Sequence, residues 1–303
     1  MRIERNVKLS PFTHFKIGGK AKFFCEPKTS KDFKKAFQFA KNENLPTFVM
    51  GQGANILVSD KGFQGLVVRP KNNQTTIKKN IVTAEAGATM EAVIKKSLKT
   101  NLIGLEDFSG IPSSIGGALY INLHYFDALI EDFLDSALVF NQKTLKTKMV
   151  KKPWFKFSYD DSKLKTDKNF ILLEANFKLK EVSNDKKHEA IGKSKEIIRT
   201  RNRRYPNEPS VGSIFQNLSE KDQKKHELPT RSVAYLIDSC GLKGVKEGDA
   251  QVSPKHANMI VNTGKAKSKD VLKLADLIRK KVKRKFGVDL LFEAELVGNN
   301  EHY

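Results

Sequence analysis

At 303 residues the chain has room for two or three domains, each with its own core. A hydrophobic content of 39% and a mean hydropathy of −0.47 fit a globular protein, and no stretch approaches the ~20 apolar residues of a membrane span. The net charge of +21 comes mostly from lysines scattered among carboxylates rather than gathered in one stripe, so no nucleic-acid partner is expected.

Cysteine occurs only as Cys25 and Cys240, with no Cys-x-x-Cys pair, and Met1 to Asn6 lacks the apolar core of a secretory signal. Both point to a cytoplasmic protein with unpaired thiols. The lysine runs 221–225 and Arg279-Lys280-Lys281 read as solvated faces. The tightest basic cluster is Arg199, Arg201, Arg203 and Arg204, just before a proline-containing loop. Such charge also suits cationic walls around a phosphate-rich ligand.

In chain order, Thr29-Ser30 caps a helix with Phe33, Ala36, Phe37 and Ala40 at helical spacing, ending near Asn44. A strand over 47–50 runs into Gly51-Gln52-Gly53-Ala54-Asn55, and apolar strands resume at 56–59 and 66–69. Two glycines bracketing one residue let backbone approach a ligand and aim several N–H groups one way. The spacing is not the dinucleotide fingerprint, because the sixth position is Ile56 and no long helix follows. On these residues alone, a glycine turn joining two strands is as good a reading as a pyrophosphate cradle.

A strand over 81–85 follows, then a helix capped by Thr89 with Met90, Val93, Ile94 and Leu98 on its apolar face. Residues 103–120 are rich in glycine and serine: small enough for a planar or phosphorylated ligand to lie against backbone, or for a helix to pack tightly on a sheet. Strands are expected at 137–141 and 170–179, and a helix from about His188 to Arg203. After Pro206 comes a separate unit. It holds a helix over 232–239 ended by Gly241, a strand over 259–262, an amphipathic helix from Ser268 to Gly287, and a final strand over 288–297. Helices and strands intermix throughout, which is α/β or α+β.

Several of these segments carry fuller motifs. They are 12–19 (FTHFKIGG), 51–60 (GQGANILVSD), 109–118 (SGIPSSIGGA), 157–162 (FSYDDS) and 209–217 (PSVGSIFQN), followed by 241–244 (GLKG), 250–253 (AQVS), 256–258 (HAN) and the tail 286–298. In this order they resemble the UDP-N-acetylenolpyruvoylglucosamine reductase family over almost the whole chain, in its shorter variant. The resemblance implies an α+β protein: an FAD-binding domain of the vanillyl-alcohol-oxidase (PCMH) type in two subdomains, 1–68 and 69–204, plus a C-terminal α+β substrate-binding domain, 205–303. It implies FAD and NADPH as cofactors and reduction of a UDP-sugar enolpyruvyl ether in peptidoglycan synthesis. A monomer is expected, with no metal and no membrane association.

The same resemblance assigns residues. FAD contacts fall on Gly51, Gln52, Gly53, Ala54, Asn55 and Ser59, and on Gly110, Ile111, Pro112, Ser113, Ser114, Gly116 and Gly117. Ser213 falls at the proton donor and Glu293 at the closing glutamate, which is useful beside a substrate carboxylate only if it can donate. Without the resemblance, Ser213 would be read as bonding its own turn. Tyr159, Asn217, Lys243 and Gln251 fall at substrate contacts. One position departs: Asp160 stands where the family has an arginine that neutralises the enolate, and an acid opposes that charge. Lys163 or an arginine of the 199–204 cluster is a candidate replacement. The departure keeps open a different substrate on the same fold, or a weakly active UDP-sugar-binding flavoprotein. Milder departures are Asp249 in place of a glycine and the loss of small residues over 123–127.

Overall fold

The computed structural model describes residues 1–298; the last five residues of the expected third domain lie outside the described residues. The chain divides into two compact units. The first comprises Met1–Arg5, Phe23–Gln52 and Gly65–Arg201; the second comprises Asn6–Lys22, Gly53–Gln64 and everything from Asn202 onward. The glycine-bearing run 51–55 is therefore one of the places where the chain leaves one unit for the other.

In the first unit, five antiparallel strands lie in the order Lys146–Lys151, Leu134–Asn141, Phe170–Lys178, Ile81–Glu85, Thr75–Lys78. The two central strands alternate or run apolar and bury Ala137, Val139, Leu172, Ala175 and Phe177. Against them pack the helices Met90–Lys99 and Ile115–Tyr120, whose Val93, Ile94, Ile115 and Leu119 complete one core. A second core forms where the helix Ser30–Asn42 sets Phe33, Ala36 and Phe37 against Leu66, Val68 and Phe140. That helix starts where expected: Thr29 accepts from the Asp32 amide at 3.2 Å and Asp32 reaches back to the Thr29 amide at 3.2 Å, a reciprocal capping box.

The second unit is built on four antiparallel strands in the order Ser210–Ser213, Met259–Asn262, Ala250–Val252, Lys246–Glu247. The helix Ser268–Phe286 covers them, burying Val271, Leu272, Ala275, Ile278 and Val282 on one stripe. Burying side chains of that size contributes about 1.5–3 kcal/mol each for the larger ones. Gly287 ends the helix in the left-handed region at φ 72°. Within this unit, Glu295–Val297 pairs in parallel with Ile56–Val58, stitching the segment after the glycine turn to the C-terminal tail.

Several expected elements differ in the structure. The long helix before Pro206 begins at Asn184, four residues earlier than expected; Ala190 is its only fully buried residue, so its start carries no apolar rhythm. The final strand is confined to Glu295–Val297, the preceding residues being irregular. The glycine- and serine-rich stretch contains the short helix Ile115–Tyr120, capped by Ser114, whose side chain accepts from the Gly117 amide. Strands Ile3–Lys8, Lys20–Cys25, Thr75–Lys78 and Lys146–Lys151 were not foreseen.

Candidate active site and cofactor cradle

The run Gly51 to Asn55 has no regular hydrogen-bonding partner on its donor side. Among the described residues, the backbone N–H groups of Gly51, Gln52, Gly53, Ala54 and Asn55 donate no hydrogen bond. Five consecutive amides without a protein partner leave donors available to an anion. The run's acceptors, by contrast, are used: the Gly53 carbonyl takes the His14 amide at 3.0 Å, and the Asn55 carbonyl takes the Glu295 amide at 3.0 Å.

Gly53 is required by space and backbone conformation, and Gly51 is closely approached. A Cβ on Gly53 would lie 2.5 Å from the Phe12 carbonyl oxygen, and its φ of 68° is one that side-chain-bearing residues rarely adopt. A Cβ on Gly51 would lie 2.5 Å from Ser114 Oγ. That close approach, with Gln52 Nε2 donating to the Ser113 carbonyl at 3.1 Å, joins the end of the first-unit part of the run to the serine-rich loop. Asn55 adds a side-chain acceptor: its Oδ1 is buried without a partner, while its Nδ2 donates to the Glu293 carbonyl at 3.3 Å.

The serine-rich loop is held from behind. Ser109 Oγ donates to the Glu106 carbonyl at 2.6 Å and meets Ser194 Oγ at 2.7 Å, and Arg201 Nε donates to the Gly110 carbonyl at 3.2 Å. Arg201 belongs to the basic cluster seen in the sequence, and its guanidinium also sits 5.3 Å from the Tyr125 ring centroid. Ile111, Pro112 and Gly116 lie in or beside this loop, Gly116 within the Ile115–Tyr120 helix. Ser59 is buried; its Oγ accepts from the Lys61 amide at 3.2 Å, which leaves the hydroxyl hydrogen to donate, and its own amide donates to the Val297 carbonyl.

In the second unit, Ser213 ends the strand Ser210–Ser213 immediately after a bulge. Ser210 faces Val261 and Ser213 faces Met259, so two residues oppose one. A bulge re-aims the side chain that follows it. Among the described residues the Ser213 hydroxyl makes no hydrogen bond, so it does not serve its own turn. Next to it, the Glu293 amide donates to the Ile214 carbonyl at 3.0 Å, and Phe215 and Phe292 are bridge partners. Ser213 and Glu293 therefore stand at adjacent rungs of one irregular ladder.

Asn258 fixes that ladder, a role the sequence did not reveal. Fully buried, it donates to the Phe215 carbonyl at 2.7 Å, accepts from the Phe215 amide at 3.2 Å, and its own carbonyl accepts from Ile214. Its place in the His-Ala-Asn motif was the only available signal.

The expected substrate contacts are partly engaged. Asn217 Oδ1 accepts from the Val233 amide at the start of the Val233–Ser239 helix, Lys243 pairs with Asp238 at 2.7 Å, and Gln251 Nε2 donates to the Gly244 carbonyl at 3.1 Å. Tyr159, in the first unit, is half exposed and stacks obliquely on His124 with ring centroids 4.8 Å apart. Asp249 accepts from the Lys265 amide at 2.7 Å, and its Oδ2 lies 2.9 Å from where a Cβ on Gly264 would fall; the departure from glycine there closes a local turn.

Unpaired amides, a buried unpartnered amide oxygen and a glycine held at positive φ suit a cofactor carrying phosphates and a flat ring, and the class they fit is a flavoprotein. Residues 21–143 match the family described as FAD binding domain, and residues 204–297 match the C-terminal domain of UDP-N-acetylenolpyruvoylglucosamine reductase. The curated reductase of Chloroherpeton thalassium is 35% identical over 99% of this chain and 94% of its own length. That of Clostridium novyi is 36% identical over 98% and 92%. The solved UDP-N-acetylenolpyruvylglucosamine reductase of Thermus caldophilus superimposes with a TM-score of 0.81 at 30% identity, covering 98% of this chain and all of that one. The chain belongs to the UDP-N-acetylenolpyruvoylglucosamine reductase family, with an FAD-binding domain of the PCMH type and the family's C-terminal domain. Among the described residues, no helix is long and apolar enough to cross a membrane.

Proposed function

We propose that this flavoenzyme uses NADPH to reduce the enolpyruvyl ether of UDP-N-acetylglucosamine to UDP-N-acetylmuramate, with Ser213 as proton donor. Bound FAD supplies the hydride-transfer chemistry between the two substrates. Adding hydride to the terminal carbon of an enol ether conjugated to a carboxylate leaves enolate charge on the carboxylate side. The adjacent carbon must then receive a proton. A serine hydroxyl hands one over only if it is not spent on its own backbone, and the uncommitted Ser213 hydroxyl after the bulge is the observation that carries this reading. Glu293 shares its ladder and is proposed as the second group facing the developing charge.

For the cofactor, the amides of 51–55 are proposed to take the pyrophosphate, with Gly110 to Gly117 lining the ring system and the Ser59 hydroxyl as a further contact. Tyr159, Asn217, Lys243 and Gln251 are proposed substrate contacts, with Lys243 and Gln251 having to exchange their present partners. The division into 1–68, 69–204 and 205–303, a monomeric state and a cytoplasmic location are proposed with it.

An anaerobic titration tests the reading. Yellow protein should bleach on adding NADPH and regain its colour stoichiometrically with the UDP-enolpyruvyl sugar. Protein that is folded but takes up no flavin, or reduced protein the sugar cannot reoxidise, contradicts it.

A further inference from the structure

The second unit carries a basic pocket that no assigned role uses. It holds about 550 Å³, and Asn6, Lys8, Lys20, Lys22, Asp60 and Lys61 are among the residues that line it, all of them within that unit. The volume is ordinary for a small-molecule site, about 300–1,000 Å³, but such sites are mostly apolar. Here four ammonium groups face one carboxylate. None of the residues assigned to flavin, substrate or proton transfer is among the lining.

Three separate pieces of chain bring the lysines together. Lys8 ends the strand Ile3–Lys8, and Lys20 and Lys22 begin the neighbouring strand Lys20–Cys25. There they alternate with buried Ala21 and Phe23 and so share the outward face. The Leu9 amide donates to the Gly19 carbonyl at 2.9 Å, which closes the connection between the two strands beside Lys8 and Lys20. Lys61 arrives on the turn 59–62, closed by the Gly62 amide on the Ser59 carbonyl at 2.8 Å. That turn lies directly on the start of the Lys20–Cys25 strand: a Cβ on Gly62 would collide with the Lys20 carbonyl.

The acid in the pocket does not answer this charge. Asp60 Oδ1 accepts from the Ser268 amide at 2.9 Å and Oδ2 from the Lys269 amide at 3.2 Å, so the carboxylate serves the start of the helix Ser268–Phe286. Among the described residues, Lys8, Lys20 and Lys61 form no ion pair, and their Nζ atoms make no hydrogen bond. Like charges on adjacent strands repel, and here the repulsion is left standing around a hollow. An ammonium is a compact point charge with three rotatable donors, which suits phosphoryl oxygens. No arginine is among the lining residues to select a single carboxylate with its planar fork.

We infer that this pocket binds an oligophosphate anion, either free or as the phosphate tail of a nucleotide. Several ammonium groups around one hollow favour a ligand whose charges are several and close together. Binding then pins the turn 59–62 to the two strands. The inference does not depend on the reductase reaction.

Flavin-loaded protein is titrated calorimetrically with tripolyphosphate and, separately, with ATP. Saturable binding is expected in wild type, weaker with added salt and accompanied by a raised melting temperature. Lys20→Gln/Lys61→Gln should weaken it by about 10-fold or more with bound flavin per chain unchanged. Lys8→Gln alone should weaken it too, and Lys20→Arg/Lys61→Arg should retain it. Lys146→Gln/Lys148→Gln removes the same charge from the exposed edge strand of the first unit and should bind as wild type does. Tripolyphosphate binding as tight as ATP or tighter assigns the site to the phosphate chain alone, and tighter ATP binding to a nucleotide. No saturable binding in wild type, unchanged binding in Lys20→Gln/Lys61→Gln and Lys8→Gln, or equal loss in Lys146→Gln/Lys148→Gln overturns the inference.

Discussion

The side-chain amide of Asn55 donates to the backbone carbonyl of Glu293 at 3.3 Å, while the Asn55 carbonyl accepts from the Glu295 amide at 3.0 Å. One residue of the cradle thereby holds the irregular segment that carries the proposed catalytic glutamate, just before the strand Glu295–Val297. The Glu293 amide then reaches Ile214, the residue after Ser213. Asn55, Glu293 and the residue after Ser213 are thus linked by three hydrogen bonds within the second unit.

Replacing Asn55 with Ala should therefore affect both ends of that chain. It leaves the Glu293 carbonyl without this donor, at a cost of about 1–3 kcal/mol, and removes the unpartnered Oδ1 from the cradle. Lower urea midpoints together with weaker FAD retention on gel filtration are expected. Asn55→Asp, which keeps the shape but loses the donor, should show the stability loss as well.

Gly53→Ala should be worse tolerated than its size suggests. Its backbone conformation costs a side-chain-bearing residue of order 1–3 kcal/mol, and the new Cβ would meet the Phe12 carbonyl at 2.5 Å. The predicted phenotype is a lowered melting temperature that added FAD fails to restore fully, followed by flavin fluorescence during thermal unfolding.

How much of this was visible in the sequence depends on what buries a residue. The helices 30–42, 90–99 and 268–286 each carry an apolar stripe and a cap, and were legible to within a few residues. The strand Lys146–Lys151 buries only Val150, and Thr75–Lys78 none of its residues; both are sheet edges, where solvent erases the alternation that marks a strand. The site residues were legible through ordered motifs. Their geometry was not, because Asn55 and Glu293 are 238 residues apart and only folding makes them neighbours.

The two thiols should differ in reactivity. Cys25 is fully buried, and burial first of all, then the nearby Asp32 and Glu26, push its thiol up to about 12. Since the thiolate is the reactive form, native protein should release one equivalent of thionitrobenzoate or less from Ellman's reagent, all from Cys240, itself raised by burial. Denatured protein should release two.

Acid should weaken the fold through His256 and, to a smaller extent, His14. His256 lies below its ordinary value of 6.5 because of burial, then the Arg204 and Lys243 charges, and its buried Nδ1 has no partner. His14 is lowered by burial and Lys16. A base whose folded value is depressed takes up protons more readily when unfolded, so its contribution is complete above 6.5 and is lost as pH falls through the folded value. Urea midpoints should therefore decline as pH drops below 6.5. His256→Phe should show a shallower decline, with the remainder owed to His14 and the carboxylates.

The most direct measurement follows the two half-reactions of Ser213→Ala by anaerobic stopped flow. Losing a general acid of this kind costs about 10²- to 10⁴-fold. Flavin should bleach with NADPH at the wild-type rate, and its recolouring by the UDP-enolpyruvyl sugar should be slowed by that factor. Equal loss of both steps, or recolouring at the wild-type rate, would contradict the proton-donor role of Ser213.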